Sequence, residues 1–204
     1  MKCRLNWSQG KDRLVFDQRD NRIQLQPYAK GRTVLDVFSY AGAWAVHALR
    51  YGATAATVID RSSTAIELAK TNAQRNGFEL EAIEGEAVAE MKTMIKAERR
   101  FDVVVLDPPA LIKRRKDYEN GLQSYYQLNR LAIQLVAKSG GLLVSCSCSH
   151  HLEEHELVEV IRHGAQIFGR DARILKFGGQ SSDHPVHPAM PETRYLKSIF
   201  VWIG

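Results

Sequence analysis

Thr33-Val34-Leu35-Asp36-Val37-Phe38-Ser39-Tyr40-Ala41-Gly42 is the stretch on which the fold turns. Thr33 to Phe38 is a buried strand carrying one acid, Asp36, and it runs directly into small residues and a single glycine. A dinucleotide pyrophosphate needs close backbone approach from several glycines where the following helix begins. Only Gly42 is available here, so NAD and FAD are disfavoured. An acid at the strand followed by Ser39, Tyr40, Ala41 and Gly42 suits instead a cofactor that is cationic and lacks phosphate.

Strands and amphipathic helices alternate on both sides of this stretch. Gly42 to Tyr51 reads as a helix and Ala55 to Ile59 as the next strand, ending at Asp60-Arg61. Thr64 to Asn76 reads as a helix, with Thr64 and Glu67 spaced as a capping box and Gly77 as its stop. A short strand near Ala82-Ile83 leads through Gly85-Glu86-Ala87 to a helix over Val88 to Lys96. The apolar run Phe101 to Leu106 is a fourth strand, cut off by Asp107-Pro108-Pro109 because proline cannot continue a ladder. A helix follows over Gly121 to Ser139, then a strand over Gly141 to Ser145 and a helix over Glu153 to Phe168. Late strands fall near Arg173 to Leu175 and Tyr195 to Trp202. This alternation predicts an α/β sheet, covered on both faces because its strands are continuously apolar. Ligands of such sheets bind at the carboxyl ends of the strands.

Composition narrows the class. The chain has 204 residues, 45% hydrophobic and 25% charged, as a soluble globular domain does. Residues 1–30 are expected to be an extension packed on a domain spanning residues 31–204. No apolar run is long enough to span a bilayer, and Met1 to Trp7 lacks the apolar core of a signal peptide. The 28 basic and 23 acidic residues give a net charge of +5, a mild lean toward an anionic partner. Cys3, Cys146 and Cys148 are too few for a disulfide framework, which places the chain in the reducing cytoplasm. The two later cysteines lack the second ligand pair of a zinc site, so no metal is expected.

The candidate site residues lie at the strand ends. Asp60 can accept both hydroxyls of a ribose, and Glu86 with Ala87 can reach an adenine. Asp107, fixed by two prolines, can bond the polar edge of a planar base. Lys113-Arg114-Arg115-Lys116 follows at once and can neutralise nucleic acid phosphates. In Ser145-Cys146-Ser147-Cys148-Ser149-His150-His151 a thiolate could add to a base carbon, provided the site lowers its ordinary pKa. Strand alternation does not separate Cys146 from Cys148. Position does: Cys146 adjoins Leu142-Leu143-Val144, whereas Cys148 lies nearer the next helix, whose N-terminal dipole would favour a thiolate.

Taken in order, Asp36 to Gly42, Asp60, Asp107-Pro-Pro-Ala and Ser147-Cys148-Ser149 resemble a class I S-adenosylmethionine-dependent methyltransferase. More narrowly, the chain resembles the large-subunit ribosomal RNA cytosine-C5 methyltransferases that usually carry a PUA domain, represented here by the catalytic domain. Phe16 to Arg22, Tyr126 to Asn129 and Asp183 to Lys197 carry further likeness. The PUA domain is not in this sequence, and Gly10-Lys11-Asp12-Arg13-Leu14 stands where the family usually has Gly-Gln-Lys-Thr-Gly. The resemblance implies a Rossmann-like, seven-stranded, mostly parallel sheet whose last strand is antiparallel and inserted between its two predecessors. It implies S-adenosylmethionine held by Asp36, Ser39, Tyr40, Ala41, Gly42, Asp60, Arg61, Glu86, Ala87 and Asp107. It implies Cys148 and Asp107 as catalytic residues and an RNA partner touching Lys113, Arg114, Arg115 and Lys116. Two other readings stay open: a base-nitrogen methyltransferase that uses Asp-Pro-Pro and no thiol, and a non-catalytic nucleic-acid-binding module.

Overall fold

A computed structural model describes residues 16–204; Cys3 and Gly10 to Leu14 lie outside the described residues. Seven strands form one sheet: β1 (Thr33–Val37), β2 (Ala55–Asp60), β3 (Glu81–Glu84), β4 (Val103–Leu106), β5 (Gly141–Ser147), β6 (Ala172–Gly178) and β7 (Lys197–Ile203). Their spatial order is β3-β2-β1-β4-β5-β7-β6. The pairs from β3 to β5 are parallel, and β7 runs antiparallel between β5 and β6. The implied antiparallel insertion is therefore present.

The helices are α1 (Arg19–Gln24), α2 (Gln26–Ala29), α3 (Ala43–Arg50), α4 (Ser63–Arg75), α5 (Ala87–Lys96), α6 (Tyr118–Leu135) and α7 (Glu154–Ile167). They cover both faces, as the continuous apolar strands require. On one face Leu35, Val37, Val104 and Leu143 meet Met91, Tyr125, Ile133 and Leu157. On the other, Val34, Val58, Val105 and Val144 meet Leu25, Trp44, Ala48 and Ile66. Successive residues of β1 thus alternate between two cores.

Several boundaries differ from the sequence reading, each for a local reason. The cap of α4 is Ser62, not Thr64. The Asp60 carboxylate accepts from Ser62 N at 3.0 Å and turns the chain early, and Ser62 Oγ then accepts from Ala65 N. Glu67 pairs with Lys70 instead of closing a box. Gly77, at φ 78°, does end that helix region. Helix α6 starts at Tyr118, and it stops at Leu135 because Phe101 N donates to Leu135 O and Phe101 O accepts from Ala137 N, on either side of Val136. That pairing is an isolated bridge, so β4 proper begins at Val103. Strand β5 continues to Ser147, where it still pairs with Lys197 of β7. Strand β7 starts two residues later than the sequence suggested, which leaves Tyr195 and Leu196 free of the ladder.

The N-terminal segment is tied down at a distance. A 3-10 turn over Phe16–Gln18 leads into α1. Ser181, just after β6, donates through N and Oγ to Asp17 O at 2.8 and 2.9 Å, and its Oγ accepts from Asp20 N. Leu25 and Ala29 enter the core beside Trp44.

Candidate active site

The turn after β1 is built to bring small groups to the sheet edge. Phe38 (φ 63°), Tyr40 (φ 47°) and Gly42 (φ 69°) are all left-handed. Two non-glycine residues in that region cost roughly 1 kcal/mol or more each, so neighbouring contacts must hold them. Those contacts are Ser39 N to Ile59 O at 3.1 Å, Tyr40 N to Asp60 Oδ2 at 2.9 Å and Gly42 N to Ser39 O at 2.8 Å. Gly42 itself lies behind the turn, where a Cβ would press on the Ala69 Cβ at 2.9 Å. Its role is to let α3 and α4 approach.

A cavity of about 680 Å³ opens above this edge. Its wall includes Ser39, Tyr40, Ala41, Asp60, Arg61, Glu86, Ala87, Asp107 and Cys148, which the sequence singled out. It also includes Asp17, Gln18, Trp44 and Tyr195, to which the sequence assigned no role. The structure therefore gathers most of the expected residues at one place.

Asp36 stands apart from the other expected cofactor residues. It is fully buried beneath the cavity and is not part of its wall. Its Oδ2 accepts from Ala45 N at 3.1 Å, pinning α3 to β1. Burial pushes its carboxyl up to about 8, helped by the nearby Asp107 charge. Lying inside β1, it faces the α3 side.

The wall on the Asp60 side is simple. Both Asp60 oxygens accept from backbone amides, those of Tyr40 and Ser62, and each keeps a lone pair for a ligand hydroxyl. Ser39 Oγ is buried with no partner. Glu86 is exposed and caps α5, accepting from Ala89 N at 2.9 Å.

The opposite wall is more constrained. Asp107 Oδ1 accepts from Gln18 Nε2 at 2.9 Å and Oδ2 from Trp44 Nε1 at 3.0 Å. Burial raises its carboxyl to about 6, against the pull of those two bonds. Asp17 Oδ2 accepts from the Tyr195 hydroxyl at 2.8 Å. Burial, then that bond, raise the Tyr195 phenol.

The two cysteines part company along β5. Cys146 is fully buried, its Sγ 3.3 Å from Ser198 Oγ. Cys148 lies past the strand, lines the cavity and sits 3.9 Å from Pro108 O. Ser145, Ser147 and Ser149 anchor this segment. Ser145 Oγ donates to Asn129 Oδ1 at 2.7 Å, and the Tyr125 hydroxyl bonds both Ser147 Oγ and Ser149 Oγ at 2.8 and 2.9 Å. Ser149 Oγ also accepts from Ile112 N, and Lys197 Nζ donates to Ser149 O at 2.7 Å. The serines thus fix the chain and leave the Cys148 thiol toward the cavity.

The expected thiolate-favouring helix end is absent from this arrangement. Helix α7 begins at Glu154, six residues beyond Cys148. Burial pushes the Cys148 thiol up to about 11, and the Asp107 and Asp17 charges add to it; Lys197 opposes them. Lys113, Arg114, Arg115 and Lys116 are exposed and outside the cavity wall. Arg114 Nε pairs with Asp117 at 2.9 Å. Their tether to the site is Ile112, bonded to Ser149. No group of metal-ligating side chains occurs among the described residues, nor a helix long and apolar enough to cross a membrane.

The family described as "Conserved hypothetical protein 95" matches residues 21–168, most of the chain. The chain belongs to that family. The match to Conserved hypothetical protein 95 spans β1 to α7, hence both cavity walls except Asp17, Gln18 and the Tyr195 region. Among curated proteins, the ribosomal RNA large subunit methyltransferase I of Aeromonas salmonicida is 36% identical over 194 residues, 94% of this chain and 49% of that protein. The protein of the same name from Serratia proteamaculans is 33% identical over 201 residues, 97% of this chain and 50% of its own. The chain thus spans about half the length of these relatives.

Among solved structures, SMU.776 complexed with SAH superposes with a TM-score of 0.81 at 22% identity, covering 93% of this chain and 50% of that one. The SAM-dependent methyltransferase from Agrobacterium tumefaciens gives 0.60 at 17% identity, covering 92% and 61%. At these identities the likeness establishes the fold alone, a Rossmann-like sheet.

Proposed function

We propose that the chain is the catalytic part of an S-adenosylmethionine-dependent methyltransferase that forms 5-methylcytosine in large-subunit ribosomal RNA. One observation carries the reading. A single cavity has a nucleoside-type wall at Asp60 and, across from it, a buried carboxyl and a cysteine, Asp107 and Cys148. The names of the curated relatives support the RNA substrate class.

The residues present fit the cofactor. Asp60 keeps acceptor capacity for ribose hydroxyls, and the buried, unpartnered Ser39 Oγ in the wall needs a hydrogen-bond partner. Tyr40, Ala41, Arg61, Glu86 and Ala87 complete that side. When bound, S-adenosylmethionine supplies an electrophilic methyl group. The chain's own part begins with Cys148. Its thiolate adds to cytosine C6, and the electron pair of the C5–C6 double bond becomes available at C5. Asp107 holds the polar edge of the base near N3 and stabilises the charge that reaches it. After C5 is methylated its proton passes to solvent water acting as base, the C–H electron pair re-forms the C5–C6 double bond and the Cys148 thiolate is expelled. With the thiol pushed up to about 11, charge in the occupied cavity must help ionise it. A bound S-adenosylmethionine would supply a cationic sulfonium for this, and Lys197 already acts in the same direction. Lys113 to Lys116, exposed beside the site, hold RNA phosphate.

Transfer of labelled methyl from S-adenosylmethionine to total RNA, followed by nucleoside analysis, tests the reading. Label in 5-methylcytidine is the expected result. Label on a base nitrogen would replace it with the Asp-Pro-Pro nitrogen chemistry, and no label with S-adenosylmethionine unbound would leave a nucleic-acid-binding module.

A further inference from the structure

Gln18 is 1% exposed, lines the cavity and bonds a carboxyl 89 residues away. Which end of its amide faces Asp107 decides what Asp107 can do, and that orientation follows from an unambiguous atom. The Gly179 carbonyl can only accept a hydrogen bond. Asn21 therefore presents its NH₂ to Gly179 O, at 2.8 Å. The other hydrogen of that NH₂ goes to Gln18 Oε1 at 2.6 Å. Gln18 must then turn its own NH₂ toward Asp107. Asn21 is fully buried, and turning its amide over would set Oδ1 against the Gly179 carbonyl oxygen, so the orientation of the amide chain is fixed. On the other side of Asp107 stands Trp44 Nε1–H, which is a donor only.

Both oxygens of Asp107 therefore face groups that cannot accept a proton. We infer that Gln18, locked by Asn21, is a positioning residue that makes Asp107 a carboxyl whose proton can pass only to and from the cavity. This rests on the reading in which Asp107 bonds the edge of a base, and it adds a direction: the acid is aimed at a ring nitrogen of the substrate, and none of its proton is shared within the protein wall. A glutamate at position 18 would share it. The value of about 6 for Asp107 places the change of state near neutral pH. The charged and titratable groups that face Asp107 are Asp17 and Arg22 from the N-terminal segment, Asp36 from β1, and Cys146 and Cys148 from the end of β5.

The Trp44 indole N–H reports the carboxyl it bonds. The chain has 3 tryptophans, so its indole signals in a ¹H–¹⁵N spectrum are few, and Trp44→Phe identifies the relevant one. In the wild type that signal should titrate with a midpoint near 6, the value of Asp107, and the step should vanish in Asp107→Asn. Gln18→Met removes a donor to the anion and should raise the midpoint by about one to two pH units. Gln18→Glu, which keeps the size of the side chain and lets two carboxyls share one proton, should raise it further. Unchanged midpoints in both Gln18 variants would overturn the inference, as would a step that survives in Asp107→Asn. None of these signals needs methyl transfer. A chain that shows them yet methylates no RNA would lose its proposed function while keeping this proton geometry.

Discussion

The two walls of the cavity are made in opposite ways. On the Asp60 side the side-chain bonds that fix the wall are the shorter ones in sequence: Asn72 to Ala41 across 31 residues, Tyr40 to Asp60 across 20, Ala89 to Glu86 across 3 and Ser62 to Asp60 across 2. On the Asp107 side the bonds join remote parts of the chain. Gln18 reaches Asp107 across 89 residues, Trp44 across 63, Lys197 reaches Ser149 across 48, and Tyr195 reaches Asp17 across 178. A locally built wall suits a generic task, holding a nucleoside cofactor. A wall assembled from distant segments fixes a carboxyl and a thiol relative to each other, which chemistry demands and binding does not.

If that division is right, the walls should fail differently. Cys148→Ala should lower methyl transfer by at least about a thousandfold while leaving cofactor affinity intact. RNA carrying 5-fluorocytidine at the target should trap a covalent adduct with wild type and with Cys146→Ala, because fluorine cannot leave as a proton does. The adduct should be missing with Cys148→Ala. An adduct that depends on Cys146 would mean the buried thiol becomes exposed and the assignment is reversed.

Asp60→Ala should do the reverse. It should weaken S-adenosylmethionine binding by roughly 1.5–3 kcal/mol for each charge-assisted bond lost, read by calorimetry, with a smaller change in kcat at saturation. Equal affinity in the variant and the wild type would remove Asp60 as the ribose anchor.

Beneath the Asp60 wall, Asp36 makes stability depend on pH. Its folded value, about 8, exceeds its ordinary 3.8, so the folded state binds the extra proton between them and stability falls as pH rises through that range. Asp107, at about 6, acts in the same direction over a lower span. His47 opposes both below 6.5, because burial lowers it to about 4 and stability rises with pH while the unfolded histidine loses its proton. Between 6.5 and 8 Asp36 dominates. Urea unfolding should show a loss of about 1–2 kcal/mol across that window. Asp36→Asn, which can still accept from Ala45 N, should flatten it. A slope that persists in the variant would place the buried proton elsewhere.

The smallest effect per residue is expected outside both walls. Replacing Lys113, Arg114, Arg115 and Lys116 with serine should lower RNA affinity and flatten its salt dependence by roughly one unit of slope per lost phosphate contact. Cofactor binding should be untouched. Arg114, already paired with Asp117, should contribute least. An unchanged slope would make the run an ordinary solvated surface.

The same division explains what the sequence revealed. The alternation of strands and helices and the residues after β1, β2 and β4 were legible, because hydrophobic runs and their terminators are local signals; the antiparallel insertion of β7 came only from the family resemblance. Cys148 was separable from Cys146 by its distance from the apolar part of the strand. Two expectations met a different geometry. Asp36 was read as a ligand residue because strand-end acids face ligands in this fold; in the structure it lies within β1, fully buried, and bonds Ala45 of α3. The helix dipole expected at Cys148 failed because a five-residue connection, 149–153, intervenes before α7. Gln18, Trp44 and Tyr195 were given no role. Phe16 to Arg22 and Tyr195 to Lys197 were visible as likeness, yet only the fold shows that they meet over Asp107. Asp17-Gln18-Arg19-Asp20-Asn21, polar and without an apolar period, reads as an ordinary solvated stretch and carries no signal of that meeting.

Ser181 binds Asp17 across 164 residues, and the clamp on Asp107 depends on that junction. The core strands β1 to β5 pair across at most 69 residues, Val34 with Val103, whereas the junction closes a loop of 164. Loop closure of that length is the slow kind of contact to form. During folding the sheet and the Asp60 side should therefore come together first. An intermediate of this kind would have the shape of a cofactor pocket before it had an oriented acid, so acquisition of binding and acquisition of activity would be separate events in time.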